Sequence, residues 1–457
     1  MYKLLLINPK EKKSGLGSYK STSVPPLGLG YIAALTPRQR YHVTIVDENI
    51  DILENYDADL VGITAYSAHA RKAYEIAGQF RKRSIPVVMG GIHASMLPDE
   101  ALAHCSSVVV GEAENVWKDV LEDFESNRLR RMYNGSPADL SSIPFPRRDL
   151  FRGNRYLWDS ILTSKGCPMN CSFCSVTKFN GHRFRRRPVE QVVDELKTID
   201  KKLVLFLDDN LLGHDKGRWL YKFFNAVIDA GIKKYFFAQT SLNFGEDQEL
   251  LKLAYKAGLR LALIGIESVN PKSLISFNKS LNSKYLETRK YKRLIGNVRK
   301  AGIAVLGCFI LGGDEDTIHS FQDTLEFVQE TKIDILQITK PTPLPGTRFY
   351  ELLSAAGRIM DTNYPEAWKN YRFSRMLFKP KQMSIEDVYA GYFYIRRQYY
   401  AIPEILKRLL STLIDTKSLS TTLISAFFNH TYRHAFIDSD IYENFTDKSL
   451  ERFIRKN

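Results

Sequence analysis

"LTSKGCPMNCSFCSV", residues 162–176, sets Cys167, Cys171 and Cys174 in one short run directly after the apolar stretch "SILTS" (160–164). The chain has five cysteines in 457 residues, so three within eight positions form a cluster. The spacing is C-x3-C-x2-C. Three thiolates from one loop can converge on a metal centre, and iron–sulfur clusters are held by cysteine thiolates. Structural zinc normally takes four protein ligands in two separated pairs. Here Cys105 and Cys308 fall in other predicted strands, so no fourth thiol is near. Three ligands to a four-iron cluster leave one iron open, which a catalytic centre needs. Gly166 permits a tight turn into the loop, and Pro168 and Asn170 favour irregular backbone.

Downstream, apolar runs alternate with helical patterns. After "SILTS" the strand candidates are "LVLFLDD" (203–209), "YFFAQ" (235–239), "LALIGIE" (261–267), "AVLGCFIL" (304–311) and "IDILQIT" (333–339). A helix starts after Pro188 and carries Val189, Val192, Val193, Leu196 and Ile199 on one face. Six strand–helix units are too few for a closed eight-fold barrel, so residues 158–364 are expected to form an open, partial (β/α)6 barrel. Right-handed crossovers then gather the loops after the strands around one mouth.

Upstream, "KLLLI" (3–7), "VTIVD" (43–47), "LVGIT" (60–64), "PVVMGG" (86–91) and "SVVVGE" (107–112) read as buried strands with helices between them. Continuous apolar strands in that alternation predict a parallel sheet covered on both faces. Residues 1–135 are therefore expected to be an α/β, Rossmann-like domain of the flavodoxin-like kind, with its ligand beyond the strands' carboxyl ends. Residues 136–157, rich in Pro, Ser and charge, read as a linker. After 365 the alternation stops, and 365–457 are expected to be a small, mostly helical C-terminal domain. Within it, "IEDVYAGYFYIRRQYYAIPEILKRLLSTLI" (385–414) interleaves aromatic, basic and apolar residues.

The hydrophobic fraction of 44% describes packed domains. No stretch reaches the roughly 20 apolar residues that span a bilayer. The N-terminus "MYKLLLINPK" lacks the longer apolar core and cleavage site of a signal peptide, so a cytoplasmic location is expected, where thiols stay reduced. The net charge of +14 permits nucleic acid, anionic lipid or phosphorylated partners without selecting among them.

The cysteine loop on a six-unit barrel resembles the radical S-adenosylmethionine (SAM) superfamily over residues 158–345. The resemblance implies a [4Fe–4S] cluster on Cys167, Cys171 and Cys174, with SAM chelated at the open iron. One electron from the cluster then cleaves SAM to a 5′-deoxyadenosyl radical that abstracts hydrogen from an unactivated C–H bond. Strand-end residues matching the family's SAM site are Asp208, Asp209 and Asn210, then Gln239 and Ser241, then Glu267 in "IGIES", and Gly312 with Gly313, which allow close approach of a flat ligand. Taken singly, each is more often a strand-end cap or turn residue than a ligand; together on one barrel mouth they favour binding. "KPTPLPGT" (340–347) reads as a rigid turn after the sixth strand.

A Rossmann-like domain ahead of such a barrel resembles the cobalamin-binding subfamily. The matching stretches are "GITAYS" (62–67), "GGIHAS" (90–95) and "GEAE" (111–114). They nominate Thr64, Tyr66, Ser67, Gly90, Gly91, His93, Gly111 and Glu112 for cobalamin. Other cobalamin proteins offer cobalt a histidine from the loop after the first strand; here that loop (8–30) has none. His93 could instead be a capping or supporting histidine.

The implied activity is C-methylation of an unactivated carbon in a small-molecule or lipid-like substrate, with a reductant such as flavodoxin or ferredoxin. The same cofactors would also serve a cyclase or rearrangement enzyme. A transfer-RNA methylthiolating relative would need a second cysteine trio, but residues 1–140 hold only Cys105, and nucleic acid is not an expected partner. A non-catalytic iron–sulfur electron carrier leaves the large barrel unexplained. The basic, aromatic C-terminal stretch reads either as a packed helix with snorkelling cations or as a peripheral contact with the inner face of the membrane.

Overall fold

The computed structural model describes residues 1–11, 23–54, 56–151, 155–181, 183–287, 289–434 and 453. The first sheet is all parallel: β1 (Tyr2–Asn8), β2 (Tyr41–Asp47), β3 (Leu60–Thr64), β4 (Val87–Gly90), β5 (Ser107–Gly111) and β6 (Met132–Gly135), in spatial order 2-1-3-4-5-6. Alternate residues of each strand feed opposite faces. Leu5, Ile7, Val61 and Ile63 meet Ala73, Ile76, Ala77 and Phe80 of helix Ala70–Lys82. Leu4, Leu6 and Val88 meet Trp117, Val120 and Leu121 of helix Trp117–Glu125. The order is the flavodoxin-like one, with its switch point between β1 and β3. The sixth strand was not expected. It is a short edge strand, "MYNG", in which Tyr133 alone is buried, so it carries no apolar run.

The second sheet runs in chain order through β7 (Asp159–Ile161), β10 (Leu203–Phe206), β11 (Tyr235–Thr240), β12 (Leu259–Glu267), β13 (Ala304–Ile310) and β14 (Ile335–Thr339), all parallel. All six expected strands form, and β7 and β14 remain unpaired edges, so the barrel is open. A small antiparallel hairpin, β8 (Ser164–Lys165) with β9 (Arg185–Arg186), brackets the cysteine loop.

Two readings of the periphery change. The segment 136–157 is no free tether, because Ala138, Leu140 and Ile143 are buried against Leu27 and Tyr31. The C-terminal region is no appendage either. Trp368, Tyr371 and Leu377 complete the core of the first sheet. Helix Leu419–His434 lies on the second sheet's inner face. Phe236 packs against Phe206 on the outer side, while its neighbour Phe237 points the other way and meets Phe428 at 5.5 Å between ring centres. The interleaved stretch 385–414 splits into helices Ile385–Tyr399 and Ile402–Thr416 at Ala401, just before Pro403. Tyr392 and Tyr399 of the first, and Tyr400 just past its end, are buried core residues.

Candidate functional site

The cysteine loop leaves the carboxyl end of the first barrel strand and is pinned at several points. Gly166 has φ +90°, and a Cβ there would strike the Arg183 carbonyl oxygen at 2.4 Å, so the turn into the loop requires glycine. Ser172 Oγ donates to the Ser276 carbonyl at 2.9 Å and its amide to Phe277 at 3.1 Å. Phe173 stands edge-on to Phe277, and Asn278 Nδ2 donates to the Asn170 carbonyl at 2.6 Å. The three thiols lie near enough to feel one another's charge. Burial pushes all three up, Cys174 to about 12, so without metal they stay protonated at neutral pH. Cluster assembly would have to displace those protons. All three residues are half-buried, whereas Cys105 is sealed in the first core. Among the described residues no three His, Cys, Asp or Glu side chains converge tightly enough to grip one ion. A single tetrahedral ion would draw sulfurs to about 3.8 Å from each other, given metal–sulfur bonds near 2.3 Å. Three soft donors on one anchored loop, without a fourth, are the donor set of a cluster with one open iron.

Around this loop the barrel's strand ends divide into committed and open groups. Asp208 is fully buried and accepts from the Thr163 amide (3.1 Å) and hydroxyl (2.6 Å) and from Ser164 Oγ. It locks the end of β7, and burial raises its pKa. Asp209 accepts long bonds of 3.3 Å from the Gly166 amide and Asn180 Nδ2; burial, then the Asp208 charge, raises it to about 6. Asn210 is buried and bonded to Ser241 Oγ and the Leu212 amide. Gln239, one residue from the end of its strand, is exposed at the mouth. Glu267, at φ +70°, pairs with Lys279 at 2.8 Å. Its folded-back carboxylate needs Gly265, where a Cβ would meet Oε1 at 2.4 Å. The Gly312 and Gly313 amides both donate to Asp316 Oδ2 at 2.9 Å, and a Cβ on Gly312 would press on Val388 at 2.9 Å. Gly312's close approach is thus to the protein's own helix, whereas Gly313 has only ordinary contacts.

On the first sheet, His93 is wholly buried, with Nε2 2.9 Å from Tyr74 Oη and Nδ1 3.1 Å from Ser67 Oγ. Tyr74 and Trp368 both donate to Glu100 at 2.8 Å. Gly91 (φ +88°) sits where a Cβ would meet Thr64 Oγ1 at 2.6 Å; Gly90 beside it has only ordinary contacts. Ser95 Oγ bridges the Gly91 carbonyl and the Gly111 amide. Glu112 is buried and holds Arg185 with both oxygens, Lys165 at 3.3 Å and the Ala138 amide at 3.0 Å. Burial opposes its ionisation, but Arg185 and Lys165 outweigh this and hold its pKa below the usual range. These contacts bind the end of β5 to the hairpin around the cysteine loop. Tyr66 is 69% exposed, yet dehydration by surrounding protein, then Asp209, raises its phenol. Arg185 and Lys165 on Glu112, and Lys165 on Glu114, set the carboxyl ends of the two sheets against each other.

Comparison with known proteins fits that geometry. Residues 161–328 match the radical SAM superfamily model and residues 18–121 the B12 binding domain model. Bacteriochlorophyllide d C-12(1)-methyltransferase of Chlorobaculum tepidum is 31% identical over 422 residues, covering 89% of each chain. The chain belongs to the cobalamin-binding branch of the radical SAM superfamily. The hopanoid C-2 methylase of Rhodopseudomonas palustris is 27% identical, over 75% of this chain and 67% of the relative. The solved structure of the methyltransferase TsrM from Kitasatospora setae, with cobalamin and a [4Fe–4S] cluster bound, superposes with a TM-score of 0.64 at 15% identity, covering 86% of this chain and 88% of TsrM. This radical SAM enzyme therefore uses a [4Fe–4S] cluster, SAM and cobalamin. Its site also contains residues the sequence did not flag: Lys279 against Glu267, and Arg185 and Lys165 against Glu112. Each lies in a polar, basic stretch that resembles ordinary surface until the fold brings a carboxylate to it.

Proposed function

We propose that the protein is a C-methyltransferase that attaches a methyl group to an unactivated carbon of a small, hydrophobic or lipid-like molecule. The observation that carries this reading is the juxtaposition of the two sheets' carboxyl ends, where Glu112 and Glu114 beyond β5 pair with Arg185 and Lys165 of the hairpin around the cysteine loop. Two methylase relatives support it, one of them of about this length. When bound, the cofactors supply the hydrogen-abstracting radical and the methyl carrier. The chain's own work is to hold and orient. Cys167, Cys171 and Cys174 would hold the cluster, and Asp209, Gln239 and Glu267 with Lys279 are the polar groups available to SAM beside it. Asp208, Asn210, Ser241, Gly312 and Gly313 would shape that pocket from behind. Thr64, Tyr66, Gly90, Gly91 and Gly111 would line the cobalamin cradle, with Ser67, His93 and Glu112 stiffening it.

The division of labour follows the segments 1–135, 158–364 and 365–457, joined through 136–157. A flavodoxin or ferredoxin is the proposed electron donor, and the cytoplasmic face of the membrane the proposed location. Among the described residues no helix is long and apolar enough to cross a membrane.

The test is anaerobic turnover of cluster-loaded, cobalamin-loaded protein with methyl-labelled SAM and candidate hydrophobic substrates. Transfer of label to product carbon supports methylation. A product that is cyclised or rearranged without label refutes it in favour of the cyclase reading. Absence of SAM binding leaves only the electron-carrier reading.

A further inference from the structure

Helix Ile402–Thr416 is inside out. Its sequence alternates Leu and Ile with polar residues at helical spacing, so the apolar stripe should face the core. The structure buries the polar stripe. Thr412 Oγ1 donates to Asp334 at 2.6 Å, Arg299 reaches Asp415, and Arg408 donates to Asn429 at 2.9 Å while stacking 3.6 Å over Tyr399. The Arg299–Asp334 pair beneath is buried. Ile402, Leu406, Leu410, Leu413 and Ile414 consequently face outward, each 40–61% exposed. The apolar ridge continues past the turn at Lys417 to Leu419 and Leu423, which are just as open. A fold that satisfies a helix's polar face internally while leaving seven large aliphatic side chains outside has built a surface for something apolar.

We infer that this helical hairpin is a docking face for an anionic lipid bilayer. The inference rests on the membrane-peripheral reading above and names the element responsible. Charge selects the occupant. Lys417 borders the ridge beside a Lys407–Glu404 pair that is neutral overall, no acidic residue occurs from 416 to 434, and Asp415 is engaged by Arg299 and Lys332. A second copy related by two-fold symmetry would set the same cations against each other. A bilayer with anionic headgroups offers acyl chain to the ridge and negative charge to its border. Position fits as well. The hairpin is fastened to the amino ends of the barrel strands, with Arg260 Nε on Ser420 Oγ at 2.9 Å and Thr421 Oγ1 on the Gly302 carbonyl at 2.7 Å. The cysteine loop leaves the opposite, carboxyl end. Docking would leave that end free.

The experiment is vesicle flotation of the cluster-loaded full chain. The vesicles are phosphatidylcholine alone or with phosphatidylglycerol, at low and high salt. The protein should float with the anionic vesicles, and salt should weaken the association without removing it. Leu406→Gln with Leu410→Gln should reduce partition on the order of tenfold or more, since each exposed aliphatic side chain adds a sizeable part of a decade. Lys407→Glu with Lys417→Glu should remove the preference for anionic vesicles. Substrate-free SAM cleavage should be unchanged in both, because neither pair touches the site. Flotation equal to wild type in both double variants would overturn the inference while leaving peripheral binding intact. No flotation of the wild type overturns both. If sedimentation equilibrium instead shows a dimer that the leucine changes dissolve, the face is a subunit interface. Failure of methyl transfer with normal flotation would strike only the enzymatic reading.

Discussion

The two sheets end in opposite ways where their carboxyl ends meet. On the first sheet the strand-end side chains are committed to one another: His93 to Ser67 and Tyr74, Ser95 to Gly91 and Gly111, Glu112 to Arg185 and Lys165. On the second sheet the backbone of the loop is pinned, while its three cysteines are half-buried, Gln239 is exposed and Asp209 accepts only long bonds. A cradle for a large preformed cofactor gains from rigid walls, because less freedom is lost on binding. A loop that must release protons and accept iron needs donors not already engaged. One side is stiff and one is receptive, although both begin as parallel strands of similar composition.

The strongest way to break this contrast is at sulfur. Changing Cys167, Cys171 or Cys174 to Ser should remove iron and SAM cleavage while the far-ultraviolet circular dichroism stays native. Cys105→Ser, in the sealed core, should keep the iron and lower only the melting temperature. Iron analysis and release of 5′-deoxyadenosine read both. Next comes the link between the sheets. Glu112→Gln leaves Arg185 with no carboxylate in a buried setting and should cost about 3 kcal/mol, seen by urea unfolding. If stability is unchanged, the first sheet's edge is not held by that pair.

A smaller effect tests stiffness around His93. Burial works against ionisation of Glu100, but bonds from His93, Tyr74 and Trp368 outweigh it and hold the carboxyl below its ordinary value. A depressed carboxylate adds stability above its unfolded pKa, and loses it as pH falls through the folded value. Glu100→Gln should therefore cost about 1–2 kcal/mol at neutral pH. The difference from wild type should begin to shrink as pH falls through the unfolded carboxyl's value of about 4.3 and vanish only below the lower, folded one. The smallest expected effect is on the outward hairpin, where Leu410→Gln should alter stability by no more than about 0.5 kcal/mol. A larger loss would mean that this face is covered in solution.

Much of this was legible from residue order. Twelve of the strands in the two main sheets carry the plan, and eleven announce themselves as apolar runs; the twelfth, β6, does not, because an edge strand needs only one buried side chain. The cysteine loop was legible because its chemistry depends on spacing within one turn of chain. The partners of Glu112 and Glu267 were not, since Arg185, Lys165 and Lys279 look like surface cations until a fold lays them on a carboxylate. Gly312 illustrates the reverse. It was read as room for a ligand, and the space is filled by Val388 from a helix some seventy-five positions later.

The sequence by itself determined the two α/β layers and the three-thiol loop, because strand periodicity and ligand spacing are local properties of a chain. Tertiary structure alone decided which polar groups are committed and which stay available, that the carboxyl ends of both sheets meet, and that a helix with a leucine stripe turns it outward. Those outcomes depend on pairings across tens to hundreds of residues. Satisfying a buried Arg299–Asp334 pair can outweigh the ordinary preference for hiding leucine, and no local pattern records that competition.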